Sequence, residues 1–319
     1  MRAAVLLGGS KSRVDRVPIP PLRPTDVLVR VEGTGVCASN LPLWQGRQWF
    51  HYPAEPGAPG HEGWGIVECV GDAVTATAPG RRVALLSSRS YAQYDVTDQA
   101  SLVELPAELD AVDVPGEPLA CAVNVCARAA IKPGSWVVII GVGFLGAVVT
   151  RLASLAGAHV LAISRRSFAQ TLAERFGAAV TVGFEQQDEA FDVVSAHVGD
   201  ELAPVVIEAV GTQSALDLAT RVAGVHARLV IAGYHQDGTR TVDMQQWNWK
   251  GLDVINAHER NPSRYISGMR EGARLMRDGL LDLSPLLSAK FPLSALDTAF
   301  RLSVERPAGF VKAIVDPWH

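Results

Sequence analysis

Residues 137–153 read VVIIGVGFLGAVVTRLA, and this stretch decides the fold of the second half of the chain. An apolar run is followed by Gly141, Gly143 and Gly146 in G-x-G-x-x-G spacing, and a helical pattern begins directly after them. The first glycine permits a tight turn, the second lets the backbone approach a pyrophosphate, and the third lets the helix pack closely on the strand. The helix N-terminus then offers free N–H groups and a positive dipole end to phosphates. The stretch predicts a dinucleotide-binding loop.

A glycine-rich turn alone is a weak signal, but here it belongs to a longer array of apolar runs with helical patterns between them. The predicted strands are residues 135–141, 159–164, 178–182, 204–211, 227–233 and 252–257. Near-continuous Val and Ile runs indicate strands that are buried on both faces, as in a parallel sheet with helices on either side. We therefore predict an α/β domain with a doubly wound, six-stranded Rossmann sheet.

The end of the second predicted strand, Ser164-Arg165-Arg166-Ser167, indicates which cofactor is used. NAD-binding domains place Asp or Glu near this point, whereas this chain has two guanidinium groups and two hydroxyls. Arg is well suited to a phosphate, so we predict NADP(H). The alternative is a solvated Arg pair at a helix start, where positive charge is mildly unfavourable. The other candidate cofactor contacts are Phe144 and Leu145 in the glycine loop, and Val210 and Gly233 at later strand ends.

The first part of the chain has a different pattern. Residues 1–118 contain short β-type runs separated by Pro and Gly clusters such as PIPPLRP and YPAEPGAPG, which is typical of a mostly-β domain with long loops. The C-terminal tail ends in another strand-like run, GFVKAIV. We predict one domain at 1–120, completed by 284–319, and an NADP(H)-binding domain at 121–283.

Composition limits the classes of function. The chain has 319 residues, 48% hydrophobic and 19% charged, with a net charge of −4. This balance is typical of a folded two-domain protein and argues against nucleic acid or an anionic membrane as partner. No apolar run approaches the roughly 20 residues that a membrane span needs. The N-terminus lacks signal-peptide features, so we expect a cytoplasmic protein.

Four side chains in three separate segments are candidate metal ligands. Cys37 lies in GTGVCASNL, His61 and Glu62 are adjacent in PGHEGWG, and Glu117 begins EPLACAV. Thiolate, imidazole and carboxylate are the groups that bind zinc. Each also has an ordinary interpretation: a small core cysteine, a hydrogen-bonding histidine in a loop, and a negative charge at a helix N-terminus.

Several strings together resemble a known family, the medium-chain zinc dehydrogenases. They are GVCASNL, PGHEGWGIVECVG, GRRV, EPLACAVNVCARA, GVGFLG, IEAVG and FPLSALDTAF followed by GFVKAIV, and they occur in the same order and spacing as in that family. The similarity is greatest to the sorbitol, threonine and related polyol dehydrogenases. It implies a GroES-like catalytic domain, a Rossmann domain and an active site in the cleft between them.

The resemblance also implies roles for individual residues. Cys37, His61 and Glu62 would hold one catalytic zinc, and Glu117 would be a further, exchanging ligand. The metal would act as a Lewis acid. Ser39 would accept the hydroxyl proton of the substrate, so that Ser39 and Glu62 are the candidate catalytic residues. The implied reaction is hydride transfer between NADP(H) and a secondary alcohol or polyol, or the corresponding carbonyl compound.

Three departures from the family pattern change these expectations. The segment 80–96, GRRVALLSSRSYAQYDV, has no cysteine where many members carry a structural-zinc lobe, so we expect no structural zinc. Asn40 stands where the family has an Asp that orients the zinc-binding His. We expect Asn40 to accept a hydrogen bond from His61 through its carbonyl, without a charge. Pro42 replaces a His of the usual proton relay.

Two alternative functions stay open on the sequence alone. One is a zinc-free quinone or enoyl reductase of the same fold, and the other is a non-catalytic nucleotide-binding redox sensor. The aromatic residues after Cys37 have two interpretations, a substrate pocket or packing of the domain's own loops; they include Trp44, Trp49, Phe50 and Tyr52. For assembly, the apolar strand at 252–257 would form a sheet edge, so we expect a homodimer or a tetramer.

Overall fold

The computed structural model describes residues 1–184, 187–236 and 238–319. The chain divides into two compact units. Residues 1–120 and 261–319 form one, here called the β-rich unit, and residues 121–260 form the other, the α/β unit. The boundary lies at 260/261, whereas the predicted C-terminal boundary was at 283/284.

The β-rich unit contains an antiparallel ribbon and a larger mixed sheet. The ribbon is β1 (Arg2–Gly8) and β2 (Lys11–Arg16). The larger sheet consists of β3 (Asp26–Gly35), β4 (Glu62–Val70), β5 (Arg82–Leu85), β6 (Tyr94–Asp98), β7 (Leu102–Glu104), β14 (Leu287–Pro292) and β15 (Lys312–Asp316). Its strand order is β14-β15-β3-β4-β5-β7, and β6 also pairs with β3. The C-terminal strand β15 runs antiparallel to β3, which places the chain's last strand beside its third.

The helices of this unit are short, except for one. They are α1 (Leu41–Gln45), α8 (Pro262–Arg277) and α9 (Leu296–Glu305). Helix α8 packs closely on residues before the unit boundary, because Gly268 lies against Ala120 and Gly272 lies against Leu119. This contact explains why residues 261–283 belong to the β-rich unit and not to the α/β unit, where the sequence had placed them.

An aromatic core joins α1 and α9 to the first strand. Trp44 is buried and stacks on Phe300 with ring centroids 5.3 Å apart, and Tyr91 meets Phe300 edge-on at 5.8 Å. Tyr52 donates its hydroxyl proton to the backbone carbonyl of Leu43 at 2.6 Å. Of the aromatic residues after Cys37, Trp44 and Tyr52 therefore pack the domain's own structure.

The α/β unit is a doubly wound sheet. Its strands are β8 (Trp136–Ile140), β9 (His159–Ile163), β10 (Val180–Val182), β11 (Ala203–Glu208), β12 (Ala223–Ile231) and β13 (Asp253–Asn256). All neighbouring pairs are parallel and the order is β10-β9-β8-β11-β12-β13, which is the Rossmann order. The predicted fold class is confirmed.

One helix of this part of the chain precedes β8, and the others connect the parallel strands. They are α2 (Gly116–Ala129), which contains the unit boundary, α3 (Phe144–Leu155), α4 (Ser167–Arg175), α5 (Gln187–Val198), α6 (Gln213–Val222) and α7 (Met244–Lys250). The central strands are buried on both faces, as continuous Val and Ile runs predict; Val137, Val138, Ile139 and Ile140 are each 0% exposed. Across the described ranges, no helix combines the length and the apolar character that crossing a membrane requires.

Candidate active site

Two neighbouring strand ends bring three candidate ligands together. Strand β3 ends at Gly35, and Cys37 follows as the N-cap of a short 3₁₀ turn. Strand β4 begins at Glu62, directly after His61, and Glu62 is paired with Gly35 across the antiparallel ladder. The Sγ of Cys37, a ring nitrogen of His61 and a carboxylate oxygen of Glu62 lie within 4.8 Å of one another. We call Cys37, His61 and Glu62 the donor triad.

Gly35 is required for this arrangement. A Cβ atom at position 35 would overlap the Glu62 carboxylate, so only a residue without a side chain leaves room for Glu62 to turn inward. Glu62 is 1% exposed as a result. The two strands thus determine both where the carboxylate lies and that it is buried.

Glu117 and Ser39 lie at the edge of the donor triad. Glu117 stands in the first turn of α2, and its Oε2 is 4.0 Å from Nε2 of His61. Ser39 donates its hydroxyl proton to Sγ of Cys37 at 3.2 Å. The structure therefore brings together five residues that the sequence singled out, all within the β-rich unit.

The His61 imidazole is strongly influenced by its negative neighbours. Burial disfavours the charged ring, but the hydrogen bond to Cys37 and the charges of Cys37, Glu117 and Glu62 outweigh burial and raise the pKa of His61 to about 10. A protonated ring cannot bind a metal, because both nitrogens are donors. Metal uptake at this site must therefore release a proton.

These donors fit a zinc ion. Thiolate, imidazole and carboxylate are its usual ligands, and ligands on one tetrahedral ion, each at about 2.0–2.3 Å, lie roughly 3.5 Å apart. The donor triad is close to that spacing, with all its ligand atoms within 4.8 Å of one another. Glu117 is near enough to act as a fourth ligand after a small movement.

The sequence interpretation missed Lys312. This lysine is 5% exposed and its Nζ donates to both carboxylate oxygens of Glu62, at 2.7 and 2.6 Å. Burial disfavours its charge, but the charges of Glu62 and Cys37 outweigh burial and raise the pKa of Lys312. A lysine inside the apolar run GFVKAIV was the signal, because a buried lysine needs an anionic partner.

The predicted hydrogen bond from His61 to the side-chain carbonyl of Asn40 is wrong. The carbonyl oxygen of Asn40 does not accept from His61; it accepts the Tyr91 hydroxyl proton at 2.8 Å. The amide nitrogen faces His61 instead, 3.2 Å from Nδ1. The atom that can accept from Nδ1 is the carbonyl oxygen of Pro59, at 2.9 Å. A buried tyrosine hydroxyl needs an acceptor and takes the only one that the amide offers.

The glycine loop of the α/β unit has the geometry that its sequence predicts. Gly141 adopts φ +100°, a left-handed conformation that favours glycine, and Gly143 is the N-cap of α3. A side chain at Gly146 would overlap the carbonyl oxygen of Gly141, so the helix lies directly against the turn. Gly143 has open space where a Cβ would lie, which leaves its backbone accessible.

The other candidate cofactor residues differ in accessibility. Arg165 is exposed, Arg166 is partly buried as the N-cap residue of α4, and Ser164 is 8% exposed. Val210 has an exposed side chain, but its backbone N–H donates to Glu208 at 2.7 Å. Gly233 lies against Gly211, where a side chain would not fit. Arg165 therefore has the most accessible guanidinium group at the end of β9.

A second set of charged residues at the strand ends was also missed. Glu208 is 0% exposed at the end of β11, and its Oε2 lies 2.9 Å from Nε2 of His235. Nε of Arg240 donates to Nδ1 of His235 at 3.0 Å. The signal was a glutamate inside PVVIEAVG. Because Glu208 also binds the N–H groups of Val210 and Gly211, this set stabilises the turn after β11.

Comparison with known families agrees with this organisation. Residues 23–107 match the alcohol dehydrogenase GroES-like domain, and residues 145–274 match the zinc-binding dehydrogenase domain. The donor triad lies inside the first match and the end of β9 inside the second. The first match lies within the β-rich unit, and the second covers most of the α/β unit and extends to residue 274.

Individual proteins are similar over most of the chain. L-threonine 3-dehydrogenase of Bacillus subtilis is 27% identical over 318 residues, covering 90% of both chains. An alcohol dehydrogenase of Geobacillus stearothermophilus is 32% identical over 238 residues, covering 65% of this chain and 70% of the relative.

Solved structures show the same fold. A protein of Sinorhizobium meliloti that is assigned as a zinc-binding dehydrogenase, and was solved bound to NADP, aligns over 99% of both chains with a TM-score of 0.83 and 29% identity. Galactitol-1-phosphate dehydrogenase of Escherichia coli, at 23% identity and a TM-score of 0.85, shares the fold. From the two domain matches and these relatives, we conclude that the chain belongs to the medium-chain dehydrogenase/reductase family of zinc-binding alcohol dehydrogenases and is an oxidoreductase acting on alcohol groups.

Proposed function

We propose that the protein is a zinc-dependent, NADP(H)-using dehydrogenase that interconverts secondary alcohols or polyols and their carbonyl compounds. The observation that carries this proposal is the donor triad, in which a thiol, an imidazole and a carboxylate lie within 4.8 Å. Within the described ranges, it is the one group of three or more such side chains close enough to share a metal ion. This supports a zinc ion bound at the triad, and the proposal of a single zinc per chain rests on the absence of cysteines from residues 80–96.

Each residue in and around the triad has its own role in the proposed reaction. Bound zinc would supply Lewis acidity toward the substrate oxygen. Cys37 and His61 would hold the ion, and Glu62 and Glu117 would offer carboxylate oxygens to it. Ser39, whose hydroxyl lies 3.2 Å from Sγ of Cys37, would accept the proton of the substrate hydroxyl and release its own hydroxyl proton toward the nicotinamide ribose. Hydride would pass between the carbinol carbon and the nicotinamide.

The ion pair with Lys312 affects how Glu62 can bind a metal ion. The ammonium group is within 2.7 Å of both Glu62 oxygens, so it holds the carboxylate while no metal is bound. Movement of Glu62 toward the ion would weaken or break one of its two contacts with Lys312. Glu62 would then be an adjustable ligand, and Cys37 and His61 would be the permanent ones.

The choice of NADP(H) is supported by the residues at the end of β9. The turn at residues 164–166 contains no carboxylate that could accept a hydrogen bond from a ribose 2′-hydroxyl. The guanidinium of Arg165 is exposed in this turn. The Sinorhizobium meliloti relative, at 29% identity, was solved with NADP bound. Arg165 and Arg166 are both suited to bind a phosphate, so their position at this strand end favours the phosphorylated cofactor.

The test is metal content and turnover of matched cysteine variants. Cys37→Ser should lose zinc and turnover but keep NADPH binding, because the metal ligands and the glycine loop belong to different units. Cys69→Ser is the control, since Cys69 is a free, partly buried thiol outside the triad. Turnover would be sought with polyols, sugars and aryl ketones. Wild-type activity that survives exhaustive chelation would contradict the zinc mechanism, and close to two tightly held zinc ions per chain would contradict a single site.

A further inference from the structure

The side-chain amide of Asn40 has a defined orientation. Asn40 is 3% exposed, and its Nδ2 donates to the carbonyl oxygen of Pro59 at 3.3 Å. Its Oδ1 lies 2.8 Å from the Tyr91 hydroxyl. If the amide were turned over, Oδ1 would face the Pro59 oxygen, and two acceptors would meet without a proton between them. The Pro59 contact therefore selects the orientation in which Nδ2 faces Pro59, and this orientation leaves Oδ1 to accept from Tyr91.

Tyr91 provides the donor that holds this orientation. The residue is 0% exposed, and its hydroxyl points at Oδ1 of Asn40, with a longer contact of 3.4 Å to the carbonyl oxygen of Gly35. A phenol is protonated at neutral pH and can donate its proton. If this donor were removed, the buried Oδ1 of Asn40 would be left without a hydrogen bond, which is unfavourable away from water. Tyr91 thus keeps the Asn40 carbonyl turned away from His61.

The orientation of the amide decides what His61 can do. When Nε2 of His61 binds a metal, Nδ1 carries a proton and needs an acceptor. Asn40 presents N–H groups to Nδ1 at 3.2 Å, so it cannot be that acceptor. The Pro59 carbonyl, 2.9 Å from Nδ1, can be, and its second lone pair is available for Asn40.

We propose that Tyr91 is a positioning residue of the metal centre. It holds the Asn40 carbonyl, Asn40 holds the Pro59 carbonyl, and the Pro59 carbonyl accepts from Nδ1 of His61 and turns Nε2 toward the ion. We call these three hydrogen bonds the relay. They involve no charged side chain next to His61, and together they orient the metal-binding histidine. This inference rests on the proposed zinc function.

The main test measures zinc affinity of the full-length, metal-free protein by competition with a chelator. Tyr91→Phe removes one hydroxyl and keeps the ring that packs on Phe300. It should weaken zinc binding about tenfold, the lower end of the usual range for groups that orient a ligand. Tyr94→Phe is the matched control, because Tyr94 lies on β6 with its ring against Trp318 and should leave the affinity unchanged.

A double-mutant cycle separates the relay from general packing. In the Asn40→Leu background the relay is already broken, so adding Tyr91→Phe should change zinc affinity by less than twofold. A tenfold loss in both backgrounds would overturn the relay, because the hydroxyl would then act without Asn40. The thermal unfolding of each metal-free variant shows whether it is folded.

The absorption spectrum of the cobalt(II)-substituted protein gives a second readout. Misplacement of Nε2 in Tyr91→Phe should alter the d–d bands, whereas Tyr94→Phe should reproduce the wild-type spectrum. Equal zinc affinity and equal spectra for wild type and Tyr91→Phe would overturn the positioning role alone. A wild-type protein that binds no zinc would overturn the proposed function as well, so the two failures are distinguishable.

Discussion

Two buried carboxylates of the β-rich unit, Glu62 and Asp95, show how the partner of a carboxylate affects its protonation. Glu62 is paired with a buried ammonium, whereas Asp95 is 3% exposed and receives its hydrogen bond from the neutral hydroxyl of Ser87, at 2.5 Å. The burial of the Asp95 carboxylate outweighs the charge of Arg89, so this carboxylate gains a proton more readily. The two residues therefore lead to different predictions.

Asp95→Asn should make the protein more stable at neutral pH. Burial, only partly offset by the hydrogen bonds from Ser87 and the Val96 backbone and by the charge of Arg89, raises the pKa of Asp95 to about 6, against about 3.9 in the unfolded chain. Between these values the folded state binds the extra proton, so stability is lost as pH rises from about 4 to about 6. The full loss above that window is about 3 kcal/mol, since a tenfold change in proton affinity corresponds to about 1.4 kcal/mol.

Urea unfolding of wild type and Asp95→Asn between pH 4 and pH 7 would measure this effect. The stability difference should be small at pH 4 and grow to its full size by pH 7. A difference that stays constant over this range would show that Asp95 does not change its protonation there.

Lys312→Met should destabilise the metal-free protein by about 3–5 kcal/mol, because Glu62 would remain buried without its counter-charge. Added zinc should recover more stability in this variant than in wild type if Glu62 can turn to the ion. The control is Lys290→Met, which breaks a half-exposed pair with Asp113 at 3.4 Å and should cost below about 1 kcal/mol. Denaturant unfolding with and without zinc gives both numbers. A zinc-independent loss in Lys312→Met would contradict the role of Glu62 as a ligand.

Among the secondary-structure elements, the connection between β9 and α4 is where we expect the choice between NADP(H) and NAD(H) to be made. Strand β9 ends at Ile163, and α4 begins at Ser167, so the intervening residues form a short turn at the carboxyl end of the sheet. Cofactor ribose groups bind at this end in Rossmann domains. The exposed Arg165 lies in that turn. Its guanidinium can reach solvent or a phosphate without rearrangement of the strand or helix.

Ser164→Asp combined with Arg165→Gln should reverse the preference from NADPH to NADH. Hydrogen bonds to a charged group contribute roughly 1.5–3 kcal/mol each. After solvent screening we expect about 3 kcal/mol in total, which is roughly a hundredfold in affinity. The new Asp would accept from the NAD ribose and repel the 2′-phosphate, so both effects act in the same direction.

Dissociation constants of NADPH and NADH, from nicotinamide fluorescence titration, would measure this preference without a known substrate. Arg175→Gln, an exposed arginine in the last turn of α4, is the control and should change neither constant. A wild-type protein that binds NADH more tightly than NADPH would show that this strand end has been misinterpreted.

For the whole molecule, the open question is assembly. Strand β13 is the edge of the α/β sheet, and among the described residues it pairs only with β12. Val254 is 36% exposed on that edge, and Trp249 on the preceding helix is 87% exposed. An unpaired apolar edge is an aggregation hazard unless another chain covers it.

We predict a homodimer in which two β13 strands pair across a twofold axis. Val254→Lys should shift the protein toward monomer, because two lysines would meet at the symmetric edge. Val225→Lys, at an exposed residue near the start of β12, should not. Light scattering should give twice the 34.0 kDa of one chain for wild type and for Val225→Lys. Wild type at 34.0 kDa alone, at micromolar concentration, would rule the dimer out.

The sequence by itself determined the α/β sheet and which residues are candidate metal donors. Glycine spacing and buried Val and Ile runs are local signals, because each depends on residues within one strand–turn–helix segment. The strand limits were less accurate. Strand β12 begins at Ala223, four residues before its predicted start at 227, because Gly224 and His226 interrupt the apolar pattern of the missed residues.

The tertiary structure decided which distant residues meet. Lys312 and Glu62 are 250 positions apart, and Tyr91 and Asn40 are 51 apart, so no periodicity or spacing links them. They meet because β15 returns beside β3, and because the segment after β5 passes the end of β3. A buried lysine and a buried tyrosine hydroxyl each need a partner, and the tertiary fold determines which residue supplies it, through strand pairing for Lys312 and through the path of a loop for Tyr91.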